Sequence, residues 1–321
     1  MRAIVQDRYG SPDVIFQREI DRPAIDDDTV LVRVRAASVN AVDWHMMRGE
    51  PFPARFGNGL RRPKVAIRGV DVAGVVASVG RRVIRFGPGD VVFGSRVGAF
   101  AEFVAGRERN FVMKPASLTF EQAAAVPLAA QTALQGLRDR GRILPGHRVL
   151  INGAAGGVGT FAVQVAKALG AHVTGVCSTR NVELVRSIGA DRVIDYTRED
   201  FTRSIQRYDL LFDIAGSRPL RTCRRVLAND GTLVVVGGPG GRWVSPIGRS
   251  VRAVLLSRFG PGRLVPFLAA HLNEDLETVR DLIEAGQVTP VVDRTFALEE
   301  TADAIRYVET GHARGKVVIT I

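Results

Sequence analysis

Through residues 1–120 the apolar positions come in short alternating runs cut by glycine and proline. In DTVLVRVRAASVN, Val30, Val32 and Val34 fall on one side of an extended chain and Arg33 and Arg35 on the other, the two-residue period of a half-buried strand. Similar runs follow at 70–79, 91–94 and 101–105, separated by the turn-rich GRRVIRFGPGD. This predicts a compact, mainly antiparallel β domain. Near residue 119 the texture changes: Thr119 and Gln122 are spaced as a capping box, and an alanine-rich helical pattern runs towards Leu137 with an interruption at Pro127. Apolar strands then alternate with helical segments such as 181–188. The strands are HRVLIN, HVTGVCS, RVID, YDLLFDIAG, GTLVVVGG and, as a further candidate, VRAVLLS at 251–257. Such alternation implies right-handed crossovers and a parallel sheet, a doubly wound α/β (Rossmann) domain over 121–271. The tail reads as a helix at 274–285, the extended VVDRTFAL, a helix at 299–309 and a closing strand, KVVITI. A terminal hairpin alone is poorly stable, so 272–321 is expected to rejoin the first sheet, leaving the Rossmann domain as an insertion.

The most informative stretch is VLINGAAGGVG, 149–159, where an apolar strand ends in closely spaced glycines and a helical pattern follows. Gly156 is read as the residue whose backbone must be free of a side chain, and Gly157 and Gly159 as those that let backbone and sheet approach. Free amides at the helix start favour an anion, which makes Ala155, Gly156, Gly157 and Val158 candidate contacts for a pyrophosphate. The competing reading is a glycine-rich loop kept for packing; the strand before, the helix after and the further strand–helix pairs favour a dinucleotide. Sites that prefer NAD carry an acid at the end of the second strand, about 20 residues after the glycines. Here that strand ends in Cys177, Ser178, Thr179 and Arg180. Hydroxyls and a guanidinium suit a 2′-phosphate, so NADP(H) is expected, with Ser178 and Arg180 as contacts; the other reading of Arg180 is a solvated helix end.

Composition narrows the class. Of the 321 residues 46% are hydrophobic and 24% charged, and no window approaches the roughly 18 uninterrupted apolar residues of a membrane span. The N-terminus is charged and begins a strand, so a cytoplasmic protein is expected, without a membrane partner. Only Cys177 and Cys223 are present, too few for a disulfide framework or a cysteine zinc cluster. The net charge of +11 rests on 40 arginines against 4 lysines, scattered through both halves, whereas a nucleic-acid groove calls for a stripe or tail. No nucleic-acid partner is expected; attraction for anionic ligands is. The apolar run 251–257, taken as an exposed sheet edge, predicts a homodimer formed by sheet extension.

The order of blocks resembles the medium-chain dehydrogenase/reductase superfamily and, within it, the zinc-independent quinone oxidoreductase-like branch. The residues that carry the resemblance are AASVNAVDWHMMRG at 36–49, GVDVAGVVASVG at 69–80, FGPGD at 86–90, GAFAEFV at 98–104, AAAVPLAAQTAL at 123–134, the glycine turn, GADRVIDY at 189–196 and GKVVITI at 315–321. It implies a GroES-like catalytic domain from both chain ends, 1–120 and 272–321, with the nicotinamide cofactor between it and the Rossmann domain. Where zinc-dependent relatives read Gly-His-Glu this chain has Gly69, Val70 and Asp71, and its histidines offer no tetrahedral set, so no metal is expected. The resemblance places Asn40, Asp43 and His45 on the catalytic side near the nicotinamide and Thr132 beside it from the linking helix. Tyr196 then lies near the 2′-phosphate, and Gly237 and Lys316 complete the candidate cofactor set, with 237–267 lining the other side.

Asn40 is a candidate amide donor to an acceptor carbonyl and His45 a candidate proton source, while Asn40 and Asp43 equally suit local ordering of the loop. Trp44, Phe52 and Phe56 are candidates for an apolar substrate wall, or for core packing. Arg61, Arg62, Lys64 and Arg68 form a basic cluster that suits a solvated face or an acidic substrate such as a coenzyme A ester. The function implied is an NADPH-dependent reductase of quinones or other α,β-unsaturated carbonyls. A 2-enoyl thioester reductase is the first alternative, counted against because Arg48, Gly49, Glu50, Pro51 and Phe52 lack the tyrosine that family places there. An NADPH-binding RNA- or membrane-interaction protein of little activity is the second.

Overall fold

The computed structural model describes residues 1–237, 247–258 and 260–321. They divide into two compact units: 1–131, 271–284 and 290–321 in the first, 132–270 and 285–289 in the second. The sequence reading had placed the boundaries at 120/121 and 271/272.

In the first unit a two-stranded ribbon, β1 (Arg2–Gln6) with β2 (Ile15–Glu19), precedes the hub strand β3 (Thr29–Val39). β3 pairs antiparallel with β4 (Asp71–Val79), with β6 (Phe103–Arg107) and with the closing strand β15 (Lys316–Thr320). The sheet runs on from β4 to β5 (Val91–Ser95) and β7 (Phe111–Met113), and from β15 to the parallel β14 (Val292–Ala297). Both strands of the tail thus return to the first sheet. The two-residue period does what it predicted: Val30, Val32 and Val34 are buried with Val72, Val76, Val92, Phe111 and Val317, and Arg33 and Arg35 face out. Helices α1 (Ala41–Arg48), α2 (Arg55–Asn58) and α3 (Phe120–Ala124) belong to this unit. The expected capping box forms, Thr119 Oγ1 accepting from Gln122 N at 3.2 Å and Gln122 Oε1 from Thr119 N at 3.0 Å. Pro127 opens a new helix, α4 (Pro127–Gln135), a first-turn position where its missing N–H costs nothing.

The second unit is a six-stranded parallel sheet. Its strands are β8 (Arg148–Asn152), β9 (His172–Cys177), β10 (Arg192–Asp195), β11 (Tyr208–Asp213), β12 (Leu227–Val235) and β13 (Arg263–Pro266). Their order is β10-β9-β8-β11-β12-β13, the 3-2-1-4-5-6 order of a dinucleotide-binding sheet. Leu150, Val176, Ile194, Leu211, Leu233 and Leu264, one from each strand, share a core. Helix α5 (Gly157–Ala168) follows β8, α6 (Val182–Ser187) follows β9 and α7 (Leu220–Arg224) follows β11.

One predicted element is corrected: VRAVLLS is not a strand but part of α8 (Ile247–Ser257). A short apolar run does not distinguish the two by itself. Here Ala253 is buried and Leu256 packs on the core at helical spacing, while Val251, Val254 and Leu255 stay about half exposed. The sheet's last strand is RLVP at 263–266, so the sheet-extension argument for a homodimer loses its segment. The tail helices are α9 (Asn273–Glu284) and α10 (Thr301–Glu309).

Candidate active site

The glycine turn lies at the C-terminal end of β8, the strand at which the sheet order reverses between β9 and β11, and such a switch point is where open α/β sheets bind ligands. α5 starts there with Gly156 as N-cap, and no side chain caps it, so its first amides remain for an anion. Gly157 and Val158 are half-buried, Ala155 buried. The role of Gly156 differs from that read from sequence, while Gly159 is the close approach expected of it. Gly156 has φ −82° and ψ 176°, extended backbone open to any residue. The positive φ, +93°, belongs to Gly153. Gly159 is the close approach, since a Cβ there would stand 2.0 Å from the Gly153 carbonyl oxygen.

Beneath the turn is a polar group the sequence reading missed. Asn152 Nδ2 donates to Asp213 Oδ1 at 2.7 Å, Gly216 N donates to the same oxygen at 3.1 Å, and Asp213 Oδ2 holds the Arg249 guanidinium of α8. Asp213 is fully buried, so this pair ties α8 to the strand ends around the turn. Gly237 follows β12 and its N–H reaches the Asp213 carbonyl at 3.4 Å. Residues 238–246 and 259, within the segment expected to line the cofactor, lie outside the described residues.

At the end of β9 the structure adds an acid. Parallel pairing sets Asp195 opposite Cys177, and Asp195 accepts from Thr179 Oγ1 at 2.6 Å and Thr197 Oγ1 at 2.8 Å, with Arg198 at 3.6 Å. The Thr179 hydrogen bond is the main reason this carboxyl sits below its ordinary range. Ser178 accepts from Asn181 Nδ2 at 3.1 Å, Arg180 is exposed and Tyr196 is half exposed beside them. Thr132 is buried in α4.

In the first unit the candidates around α1 form a buried network. Asp71, fully buried on β4, accepts from Ser38 Oγ (3.1 Å), Asn40 Nδ2 (2.9 Å), Ser95 Oγ (3.0 Å) and the Leu128 amide (3.1 Å) in the first turn of α4. Lys316 Nζ, buried, donates to Asn40 Oδ1 at 2.5 Å and to the Val39 carbonyl at 3.3 Å and stands 3.7 Å from Asp71. The second Asn40 amide hydrogen goes to the Ser38 carbonyl at 3.4 Å. Asn40 is thus fully engaged inside the unit, with no amide hydrogen left for an acceptor, and Lys316 points at its own network. Asp43 Oδ2 accepts from Asn40 N at 2.8 Å and caps α1. Burial, reinforced by the nearby Asp71, pushes the Asp43 carboxyl up to about 7.

His45 stacks on Trp44 at 3.5 Å between ring centres, and its Nδ1 is buried without a partner. Burial lowers its pKa below the ordinary value, so near neutral pH it is an uncharged imidazole rather than a ready acid. The three aromatic candidates occupy different surroundings: Trp44 packs on the core, Phe52 lies under the Arg55 guanidinium at 4.4 Å and Phe56 is 77% exposed. The basic cluster divides too. Arg61, Arg62 and Lys64 are exposed, while Arg68 is buried with Nε donating to Gln6 Oε1 at 2.8 Å.

Among the described residues no group of three or more His, Cys, Asp and Glu could hold a metal ion. Both thiols are buried and shifted upwards by burial, Cys177 to about 11 and Cys223 to about 12, so neither is a thiolate.

Comparison with known proteins gives matches across the chain. Residues 26–116 match the family described as alcohol dehydrogenase GroES-like domain and 188–319 that described as zinc-binding dehydrogenase. The chain is 37% identical to the mitochondrial NAD(P)H oxidoreductase RTN4IP1 of Bos taurus, over 100% of this chain and 89% of that protein. It is 35% identical to the chloroplastic NADPH-dependent alkenal/one oxidoreductase of Arabidopsis thaliana, over 99% and 79%. Among solved structures, the quinone oxidoreductase from Coxiella burnetii superposes with a TM-score of 0.89 at 30% identity, covering 100% and 99% of the two chains.

Proposed function

The chain belongs to the medium-chain dehydrogenase/reductase superfamily and is a quinone-oxidoreductase-like enzyme, and we propose that it is a zinc-independent, NADPH-dependent reductase of quinones or other α,β-unsaturated carbonyls. The observation that carries the cofactor is the uncapped start of α5 behind the glycine turn at the switch point of the sheet. Its amides, with Ala155 to Val158, hold the pyrophosphate. Ser178, Arg180 and Tyr196 take the 2′-phosphate, Asp195 having its charge engaged by Thr179, Thr197 and Arg198. Thr132 and Gly237 complete the cofactor contacts within the second unit. NADPH, when bound, supplies the hydride.

Zinc does not fit the first unit. The Asp71 carboxylate is met by four hydrogen-bond donors and by the Lys316 ammonium, so a second cation there would displace an existing one. What this chain's residues do instead is hold a loop. Asp43 fixes the start of α1, Asn40 and Lys316 fix its approach, and His45 and Trp44 present a neutral, largely apolar surface. A quinone or conjugated carbonyl takes its proton from water after reduction, so no positioned acid is needed and none of the engaged groups is called on.

The test is loss of reduced-nicotinamide absorbance with benzoquinone, phenanthrenequinone and crotonyl coenzyme A in parallel, with an NADH control and added chelator. Chelator-resistant turnover of a quinone or enone with NADPH is expected; activity with the thioester alone, or its loss to chelator, overturns the proposal. We propose a homodimer contact at the outer edge of β13, the last strand of this sheet among the described residues, and place the enzyme in a reducing compartment such as the cytoplasm, where its two buried free thiols would stay reduced. Monomer alone by light scattering at micromolar concentration removes the dimer.

A further inference from the structure

The first unit carries a concave basic site on the outer face of its sheet. Arg33 and Arg35 project from β3, Arg2 from β1, and Arg22 from the segment between β2 and β3; with Val34, Glu102, Phe103 and Ile321 they line a cavity of about 370 Å³. The register explains the convergence. Arg33 pairs with Phe103 on β6, Val34 N donates to the Glu102 carbonyl at 2.9 Å, and Ile321 N donates to the Arg35 carbonyl at 3.2 Å. Five chain segments, at 2, 22, 33–35, 102–103 and 321, thus meet at one place.

Its charges are unbalanced. Glu102 is the one acidic side chain in the lining, and Arg2 takes both its oxygens, Nε at 2.8 Å and the main-chain N at 2.8 Å. Arg22 lies over the Phe103 ring at 4.4 Å and Arg35 over the Phe120 ring at 5.8 Å. Among the described residues no carboxylate pairs with Arg22, Arg33 or Arg35, although Arg18, Arg48, Arg82, Arg85 and Arg107 elsewhere on this unit all have one. Even with a free α-carboxylate on Ile321 counted, four guanidiniums face two carboxylates and the lining keeps a charge of +2. Arg33 and Arg35 lie two residues apart on one strand face, about 7 Å, where like charges repel unless an anion sits between them. Planar guanidiniums held over aromatic rings lose little freedom on gripping a phosphoryl group through paired N–H donors.

We propose that this cavity binds a small phosphorylated anion carrying at least two negative charges, such as a diphosphate-bearing metabolite. The volume suits a small ligand, at the lower end of ordinary ligand cavities, and the arginines meet in one concavity rather than along the extended stripe that a nucleic-acid track needs. The cavity belongs to the unit without the glycine turn, so this inference is independent of the cofactor reading.

The experiment is calorimetric titration of the full chain, saturated with NADPH, with inorganic pyrophosphate at constant ionic strength. Saturable binding is expected, weakened at least tenfold in R33Q/R35Q and in R22Q and unchanged in R186Q, an exposed arginine outside the cavity. Thermal unfolding gives the second readout: pyrophosphate raises the midpoint of the native chain and of R186Q, and not of R33Q/R35Q, whose own midpoint reports that it folds. No saturable binding, equal affinity in all four proteins, or equal binding of sulfate and pyrophosphate overturns the proposal. So does a result in which RNA or anionic vesicles bind through these arginines while pyrophosphate does not.

Discussion

Replacing Lys316 by Met removes the one cation that, among the described residues, bonds into the buried network of Asn40 and Asp71, and the cost follows from what each partner retains. Asp71 is fully buried and keeps four hydrogen-bond donors, from Ser38, Asn40, Ser95 and Leu128. Those donors keep its charge from being naked but do not neutralise it, and stripping one partner from a buried ion pair costs roughly 3–5 kcal/mol. Asn40 Oδ1 loses a charge-assisted bond of 2.5 Å as well, a part of that same total rather than an addition to it. Four satisfied hydrogen bonds argue for the lower end, about 3 kcal/mol. Adding D71N removes the stranded charge, so the double variant is expected to recover at least half of the loss.

The assay is urea unfolding at neutral pH followed by Trp44, which stands in α1 beside Asp43 and reports the affected unit. A Trp243→Phe background leaves Trp44 as the sole indole, because the chain has two tryptophans. A two-unit chain need not unfold in one step, so the Trp44 transition, not the whole curve, is the quantity compared. If K316M shifts that transition by less than about 1 kcal/mol, or D71N/K316M is no better than K316M, Lys316 is not the counter-charge of Asp71 and the reasoning fails.

The glycine turn gives a second expectation. Gly159→Ala must push a Cβ against the Gly153 carbonyl, while Gly156→Ala meets its nearest atom at 3.5 Å with ordinary backbone angles. NADPH affinity by fluorescence titration should fall at least tenfold in the first and change little in the second, and the reverse order would contradict the assignment of close approach to Gly159. Asp43 makes stability pH-dependent: with its carboxyl raised to about 7, the native state keeps a proton that the unfolded chain releases near 4, so this group's contribution is favourable in acid and is lost as pH rises to 7. Asp43→Asn should therefore gain on the native chain by roughly 2–3 kcal/mol at most between pH 5 and pH 8 in urea midpoints, and parallel pH profiles would rule the shift out. Arg180→Gln should raise the Kd for NADPH about tenfold and leave NADH unaffected; an equal loss with both cofactors would place the guanidinium away from the 2′-phosphate.

Strand periodicity made most of the architecture legible, because a two-residue alternation such as Val32, Arg33, Val34, Arg35 has one reading and a strand–glycine–helix junction has few. It failed at 251–257, where seven residues of mixed branching carry no period long enough to separate helix from strand, and the decision came from the packing of Ala253 and Leu256. The glycine turn was legible as a strand–turn–helix junction but not in its division of labour. Only backbone angles distinguish Gly153, with its positive φ, from Gly156. Asp195 escapes the rule that looks for an acid at the end of β9 itself. The acid comes from the neighbouring strand, and the pairing of RVID with HVTGVC was the signal that places it opposite Cys177.

The residues of the first unit show why side-chain chemistry is the hardest thing to read from a motif. Asn40, Asp43 and Lys316 are the residue types of donors, acids and phosphate binders, and each has its polar atoms taken by a neighbour: Asn40 by Asp71 and Lys316, Asp43 by the Asn40 amide, Lys316 by Val39 and Asn40. Sequence supplies the inventory of groups, but what is left for a substrate is decided by which are already bonded to one another. Here the remainder is small. His45, neutral and with one nitrogen unpartnered, is the one candidate of the three flagged for chemistry that is not absorbed in the network. A unit that spends its acids and cations on holding a loop suits a reaction whose electrons come from a cofactor and whose proton comes from water. By the same reasoning His45→Gln should leave the pH dependence of kcat unchanged and alter KM, since it changes the surface beside Trp44 rather than a proton path; a pH profile that loses a limb in that variant would return His45 to the role of acid.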